Sequence, residues 1–177
     1  MKKKWLFLLI PIGLLVIICV CSPLVELVPE HTRNYVIPAL TNKEKEEIRD
    51  DIKNMDDEQI FWYACIRTKE NLKFGRKNDL KNKEANCEGY TAYDKQIMDY
   101  ALKEKGYNNN TYHYVGNLKS FGLNLNEIAY KILPKKDKNF FKNHDFVGME
   151  LEDGTKILFS PSLYDLIDFG CLTEIKK

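Results

Sequence analysis

An amphipathic helical pattern from Glu88 to Lys105 constrains the fold of this chain more than any other feature. Apolar and aromatic side chains recur there at spacings of three and four residues: Tyr90, Tyr93, Ile97, Tyr100 and Ala101, with Met98 and Leu102 beside them. This periodicity places them on one face of an α-helix, and Gly106 is a typical helix end. Such a face must be covered by other elements.

Shorter patterns supply the covering elements. Thr41 and Glu44 have capping-box spacing and predict a charged helix to about Met55. The acidic run 56–58 predicts the first turn of a second helix, because the helix dipole favours carboxylates there. Both helices precede the long one in the chain.

Strand patterns dominate the C-terminal part. The runs 145–151 and 155–159 predict two strands, joined by a turn of Asp-Gly type at Asp153-Gly154. A short strand over 112–115 and a helical turn or two over 124–133 precede them. The sequence therefore predicts an α+β domain, in which helices come first and pack on an antiparallel sheet.

The N-terminal part predicts a transmembrane anchor. Three lysines precede an apolar run from Trp5 to Val28, and roughly 20 apolar residues are enough to cross a bilayer core. The lysines favour an N-in orientation, with the domain outside the cytoplasm. The alternatives are a cleaved signal peptide, although no small-x-small cleavage site ends the run, and a lipoprotein signal at Cys19 or Cys21.

These patterns divide the chain into three parts. Residues 1–28 are the anchor or signal, residues 29–56 are an irregular lead-in (29–39) with the charged helix, and residues 57–177 are the main domain. The 27 Lys and Arg nearly balance the 26 Asp and Glu, and no basic stripe is present. We therefore expect no nucleic acid partner.

Cys87 and His144 are the residues in these patterns that could carry chemistry. Cys87 stands at the start of the long helix, where free N–H groups and the dipole favour a thiolate. His144 heads a predicted strand, and imidazole can take up a thiol proton near neutral pH. His31 lies in the lead-in and His113 in a tyrosine-rich strand. No zinc-binding spacing and no glycine-rich phosphate loop occurs, so we expect no metal or cofactor.

The surroundings of these two residues resemble the transglutaminase-like superfamily. Asn86-Cys87-Glu88-Gly89-Tyr90 resembles the family's Cys-x-Gly-Tyr-Ala-like helix start, and His144-x-Phe146-Val147 resembles its His-x-Trp-Val strand. Ser160-Pro161 stands where the family has Asp-Pro at the end of the next strand. The resemblance spans roughly residues 60–165 and implies a papain-like core.

The resemblance implies a catalytic triad. Cys87 matches the nucleophile and His144 the base, whereas Ser160 replaces the aspartate that orients the imidazole. A serine hydroxyl can accept a hydrogen bond from the ring N–H but brings no charge. Replacing that aspartate by its amide in a serine protease costs about 10⁴ in kcat.

Other side chains leave alternatives open. Three carboxylates could replace the missing one: Asp145, Asp153 and Asp165. In a strand the side chain of Asp145 points away from that of its neighbour His144, and Asp153 is explained by the turn. Cys65 and Cys171 could form a disulfide, or both could be buried as small hydrophobic residues.

The sequence leads to two hypotheses about function and to a third interpretation, in which Cys87 has no functional role. The first is a membrane-anchored thiol enzyme, a cysteine protease, amidase or transglutaminase-like acyltransferase, which attacks a peptide or protein substrate through Cys87 and a thioester. The second is a catalytically degenerate domain that binds peptide or cell-envelope components. An enzyme should have Cys87 Sγ within about 4 Å of a ring nitrogen of His144. In the third explanation, the resemblance is accidental and Cys87 is a core residue.

Overall fold

The computed structural model describes residues 25–132, 142–168 and 170–176. Within them lie five α-helices: α1 Asn42–Asp51, α2 Asp57–Asn71, α3 Cys87–Lys105, α4 Leu125–Ile132 and α5 Pro161–Ile167. The strands are β1 Val25–Thr32, β2 Lys73–Phe74, β3 Glu84–Ala85, β4 Asn110–Ser120, β5 Leu123–Asn124, β6 His144–Glu150, β7 Lys156–Phe159 and β8 Thr173–Ile175. The predicted α+β class is confirmed.

One curled antiparallel sheet forms the centre of the fold. Its strand order is β1-β4-β6-β7-β8, and β5 pairs with β4 at the side. Strands β4 and β6 pair so that His144 lies opposite Gly116 and Asp145 opposite Val115. Strands β2 and β3 form a separate parallel pair just before α3. This arrangement brings the start of β6 to the end of α3 that carries Cys87.

The two faces of the sheet have separate cores. Helices α1, α2 and α3 cover one face, where their apolar side chains meet Val147, Met149, Ile157 and Phe159. The other face carries a smaller cluster: Val25, Leu27, Tyr114, Phe146, Leu158 and Cys171. Since side chains alternate along a strand, neighbouring residues of β6 enter different cores.

Local signals at the helix ends agree with the structure. Thr41 and Glu44 form the predicted capping box of α1, and Asp56 caps α2. Gly106 ends α3 with a φ of 77°, a left-handed conformation that glycine adopts without steric cost. The helix bounds therefore follow from local hydrogen bonding and backbone freedom.

The first part of the predicted irregular lead-in (29–39) is a strand in the structure. Residues Val25–Thr32 form β1, an edge strand paired with β4. Pro29 lies next to a register shift between Pro29 and His31, which is how an edge strand accommodates a residue without an N–H. The predicted anchor thus overlaps β1 by its last four residues, and its remainder, residues 1–24, lies outside the described residues. Among the helices of the described part, none is long and apolar enough to span a bilayer.

The cysteines of the described part are free. Cys65 is buried in the core between the helices and the sheet, whereas Cys171 is buried in the cluster on the other face. The sheet separates the two clusters, so these residues are buried apolar side chains and not a disulfide.

Candidate functional site

Cys87 is the first residue of α3, and the asparagine before it positions the helix start. Asn86 Oδ1 accepts hydrogen bonds from the backbone N–H groups of Glu88 (3.0 Å) and Gly89 (3.2 Å). A Cβ atom on Gly89 would lie 2.4 Å from Asn78 Oδ1. The glycine of the motif is therefore required by the close approach of the loop before α3.

The side-chain partner of Cys87 is Asp145, at 3.8 Å from Sγ to Oδ2. The other carboxylate oxygen, Oδ1, lies 2.7 Å from His113 Nε2 and 3.1 Å from Arg33 Nη1. Arg33 also pairs with Glu88. We call these five residues the Asp145 cluster. Through one buried carboxylate, the cluster joins β6, β4, α3 and the segment that follows β1.

The electrostatics of the Asp145 cluster oppose a thiolate. Burial, and after it the negative charge of Asp145, raise the pKa of Cys87 to about 12, although the backbone N–H groups of Asp145 and Glu88 act in the opposite direction. Only the thiolate is an effective nucleophile. At neutral pH the thiol is therefore protonated.

His144 takes part in a different set of contacts. Its Nε2 lies 2.7 Å from Ser160 Oγ, and the same hydroxyl accepts a hydrogen bond from the backbone N–H of Leu163 as the N-cap of α5. The ring stacks on Phe146 at a centroid distance of 6.4 Å. Burial lowers the pKa of His144 to about 4, despite the nearby charge of Asp145. The imidazole is therefore neutral at pH 7.

Of the three predicted triad residues, His144 contacts Ser160, whereas Cys87 has no hydrogen bond to His144. In the part of the chain that the structure describes, no hydrogen bond links these two side chains. The alternation of β6 is the reason, since Asp145 faces α3 whereas His144 faces the cluster around Phe146.

The other two carboxylates considered from the sequence have separate roles. Asp165 Oδ2 accepts hydrogen bonds from Tyr90 Oη (2.7 Å) and the backbone N–H of Phe74 (3.0 Å). Asp153 accepts a hydrogen bond from the backbone N–H of Thr155 within the turn. Asp165 therefore ties α5 to α3 and β2.

His113 and Arg33 are cluster residues that sequence reasoning missed. His113 pairs with Val147 in the sheet, and Val115 pairs with Asp145. The side chains of His113 and Asp145 therefore share the face that α3 covers. In the sequence, each of these two polar residues stands two positions before a valine, Val115 or Val147, which places it on the apolar face of its strand. The β4–β6 register that aligns His113 with Asp145 could not be read from the sequence.

A cleft opens beside the Asp145 cluster. It has a volume of about 260 Å³ and is lined by the segment 33–37, by α3 and by β4, with Arg33, Tyr35, Val36, Lys95, Gln96 and His113 among its residues. Cys87 does not line this cleft. Among the described residues, no group of three or more His, Cys, Asp or Glu side chains could hold a metal ion.

No family model, curated protein or solved structure matches this chain. The transglutaminase-like resemblance therefore rests on the motifs and their order in the chain.

The neutral imidazole of His144 predicts a loss of stability in acid. The unfolded chain takes up a proton below pH 6.5, whereas the folded chain does so only near pH 4. Stability should therefore fall as the pH decreases through this window, by up to about 3 kcal/mol from this group. Urea unfolding at pH 7 and pH 4.5 measures the effect, which His144→Gln should remove. His31→Gln, at an exposed position of β1, is the control. An imidazole NMR signal of His144 that titrates at pH 6.5 or above would contradict this account.

Proposed function

We propose that this chain is a transglutaminase-like domain that has lost thiol catalysis and binds a peptide segment in the cleft beside the Asp145 cluster. The observation that carries the proposal is the 3.8 Å contact between Cys87 Sγ and Asp145 Oδ2. A nucleophilic thiol needs a base or a positive charge beside it, whereas this thiol faces a carboxylate.

The order of elements supports the transglutaminase-like part of the proposal. A cysteine begins a long helix, a histidine begins the strand β6, and a serine follows the neighbouring strand β7. The contact between His144 and Ser160 joins the second and third positions of the triad that the family resemblance implies. On this proposal, the fold keeps the frame of a papain-like core.

The charge states support the loss of catalysis. With a pKa of about 12, the thiolate of Cys87 amounts to roughly 10⁻⁵ of the protein at pH 7. His144 is neutral and engaged with an uncharged hydroxyl. Arg33, which could have stabilised a thiolate, is held by Asp145 and Glu88.

The chemistry of the cleft supports a peptide ligand. Arg33 contacts Asp145 and Glu88 through Nη1 alone, so its other N–H groups can donate to peptide carbonyls or a carboxylate. Val36, which is 84% exposed, gives the rim an apolar contact. A volume of about 260 Å³ is below the usual range for cofactor sites. It suits one or two side chains of an extended segment.

We further propose that the domain lies outside the cytoplasm on an N-terminal anchor. Strand β1 begins at Val25, so residues 1–24 remain for the anchor. The apolar run within them, from Trp5 to Leu24, has 20 residues, about the number that a membrane-spanning helix needs. The lysines at its start support the N-in orientation.

A second candidate is the thiol enzyme itself, and one observation favours it. His144 uses Nε2 for Ser160, and within the described residues its Nδ1 has no hydrogen bond. If Cys87 turned from Asp145 to this nitrogen, the thiol could pass its proton to His144 and attack an amide carbonyl. The C–N bond would then break, and His144 would return the proton to the leaving amine. The thioester would then be released by water or by an amine.

Alkylation of Cys87 separates the two candidates. Iodoacetamide should label Cys87 slowly at pH 7, and His144→Ala should leave the rate within about twofold, because the imidazole does not act on the thiol. Asp145→Asn should raise the rate by removing the adjacent negative charge. Mass spectrometry of the Cys87 peptide gives the rates, and Cys87→Ser controls for other labelling. A tenfold slower reaction in His144→Ala at pH 6 to 7 would establish the enzyme instead.

Peptide binding is tested with an array of synthetic 15-residue peptides incubated with the full chain. Val36→Glu should abolish peptide binding or change which peptides bind, because it places a negative charge at the cleft rim. Leu166→Glu is the matched control, since Leu166 is also an exposed aliphatic residue (56%) but lies on α5. If Val36→Glu and Leu166→Glu bind the same peptides with equal strength, the cleft is not the binding site.

A further inference from the structure

Three buried polar side chains lie between α2 and α3 without hydrogen-bond partners. Thr68 on α2, and Thr91 and Asp94 on α3, are each 0% exposed. In the part of the chain that the structure describes, both threonine Oγ1 atoms and both carboxylate oxygens of Asp94 lack a partner. The large majority of buried side-chain polar atoms in proteins have a hydrogen-bond partner, so four unpaired oxygen atoms in one interface require an explanation.

The two helices place these side chains opposite one another. Cys65 of α2 lies close enough to Asp94 of α3 for each to shift the pKa of the other. Just past the C-terminal end of α2, Leu72 lies in one apolar cluster with Tyr90 of α3. The two helices therefore run antiparallel. In this antiparallel arrangement, the turn after Cys65 carries Thr68, and the turn before Asp94 carries Thr91.

We propose that the interface between α2 and α3 encloses ordered water that hydrogen-bonds to Thr68, Thr91 and a protonated Asp94. A buried water molecule makes about three hydrogen bonds, and two hydroxyls with one carboxylic acid supply both donors and acceptors. Threonine hydroxyls in helices can instead bond to the carbonyl one turn earlier, but neither does so here. Internal water gives all four oxygen atoms a partner at once.

The surroundings of Asp94 favour the carboxylic acid over the carboxylate. Burial raises the pKa of Asp94 to about 8, against a smaller opposing effect of the Cys65 thiol. Cys65 is the titratable group of the described residues that acts on it. Arg67, the residue before Thr68 on α2, pairs with Glu47 and Asp51. Among the described residues, no cation contributes to the pKa of Asp94.

Water is detected directly by NMR of the full chain. Nuclear Overhauser contacts between long-lived water and the methyl groups of Thr68 and Thr91 are expected. Thr91→Val, which keeps the shape but removes the hydroxyl, should weaken the contact at Thr68. Absence of water contacts at both methyl groups in the wild type would overturn the proposal.

Stability against pH tests the protonated acid independently. The folded chain keeps a proton on Asp94 that the unfolded chain releases above about pH 4, so stability falls as the pH rises toward 8. Relative to Asp94→Asn, the unfolding constant should increase about tenfold per pH unit between pH 5 and 7. A flat ratio, or a stability that rises with pH and with added sodium or potassium ions, would show an ionised Asp94 and overturn the proposal. If Asp94→Asn fails to fold, the water contacts measured in the wild type and in Thr91→Val still test the proposal.

Discussion

The buried carboxylate of Asp145 is the constraint on which the site depends. Taking a charge out of water is costly unless partners compensate for it, and here His113 and Arg33 do so on one oxygen. These partners come from β4 and from the segment after β1, while the thiol of Cys87 meets the other oxygen. The cluster therefore holds the start of α3 against the sheet and also keeps the Cys87 thiol protonated.

Two opposing electrostatic effects meet at Cys87. The N-terminus of α3 acts as roughly half a positive charge, which favours a thiolate. Asp145, which is 2% exposed, brings a whole negative charge to within 3.8 Å of the sulfur. Burial of the thiol is the largest cause of its raised pKa and the charge of Asp145 the next, so the thiol stays protonated. A helix start by itself thus does not activate a cysteine, because burial of the sulfur and the adjacent negative charge outweigh the helix dipole.

The sequence was informative where the signals are local. Thr41, Asp56 and Gly106 predicted helix ends correctly, because capping and backbone freedom involve only neighbouring residues. Strand β1 was missed, since Pro29 and its charged neighbours resemble a loop. In the site, the opposite directions of His144 and Asp145 followed from strand geometry. Which of them would meet α3 did not follow, because that depends on sheet register and curl.

The ionisation of the Cys87 thiol is the measurement that tests this account most directly. It can be followed by the ¹³C chemical shift of the cysteine β-carbon in the labelled full chain, from pH 5 to pH 11. We expect the Cys87 signal to remain that of a protonated thiol up to about pH 10, both in the wild type and in His144→Ala. A thiolate that forms at or below pH 7 and is lost in His144→Ala would contradict the account and assign the site to catalysis.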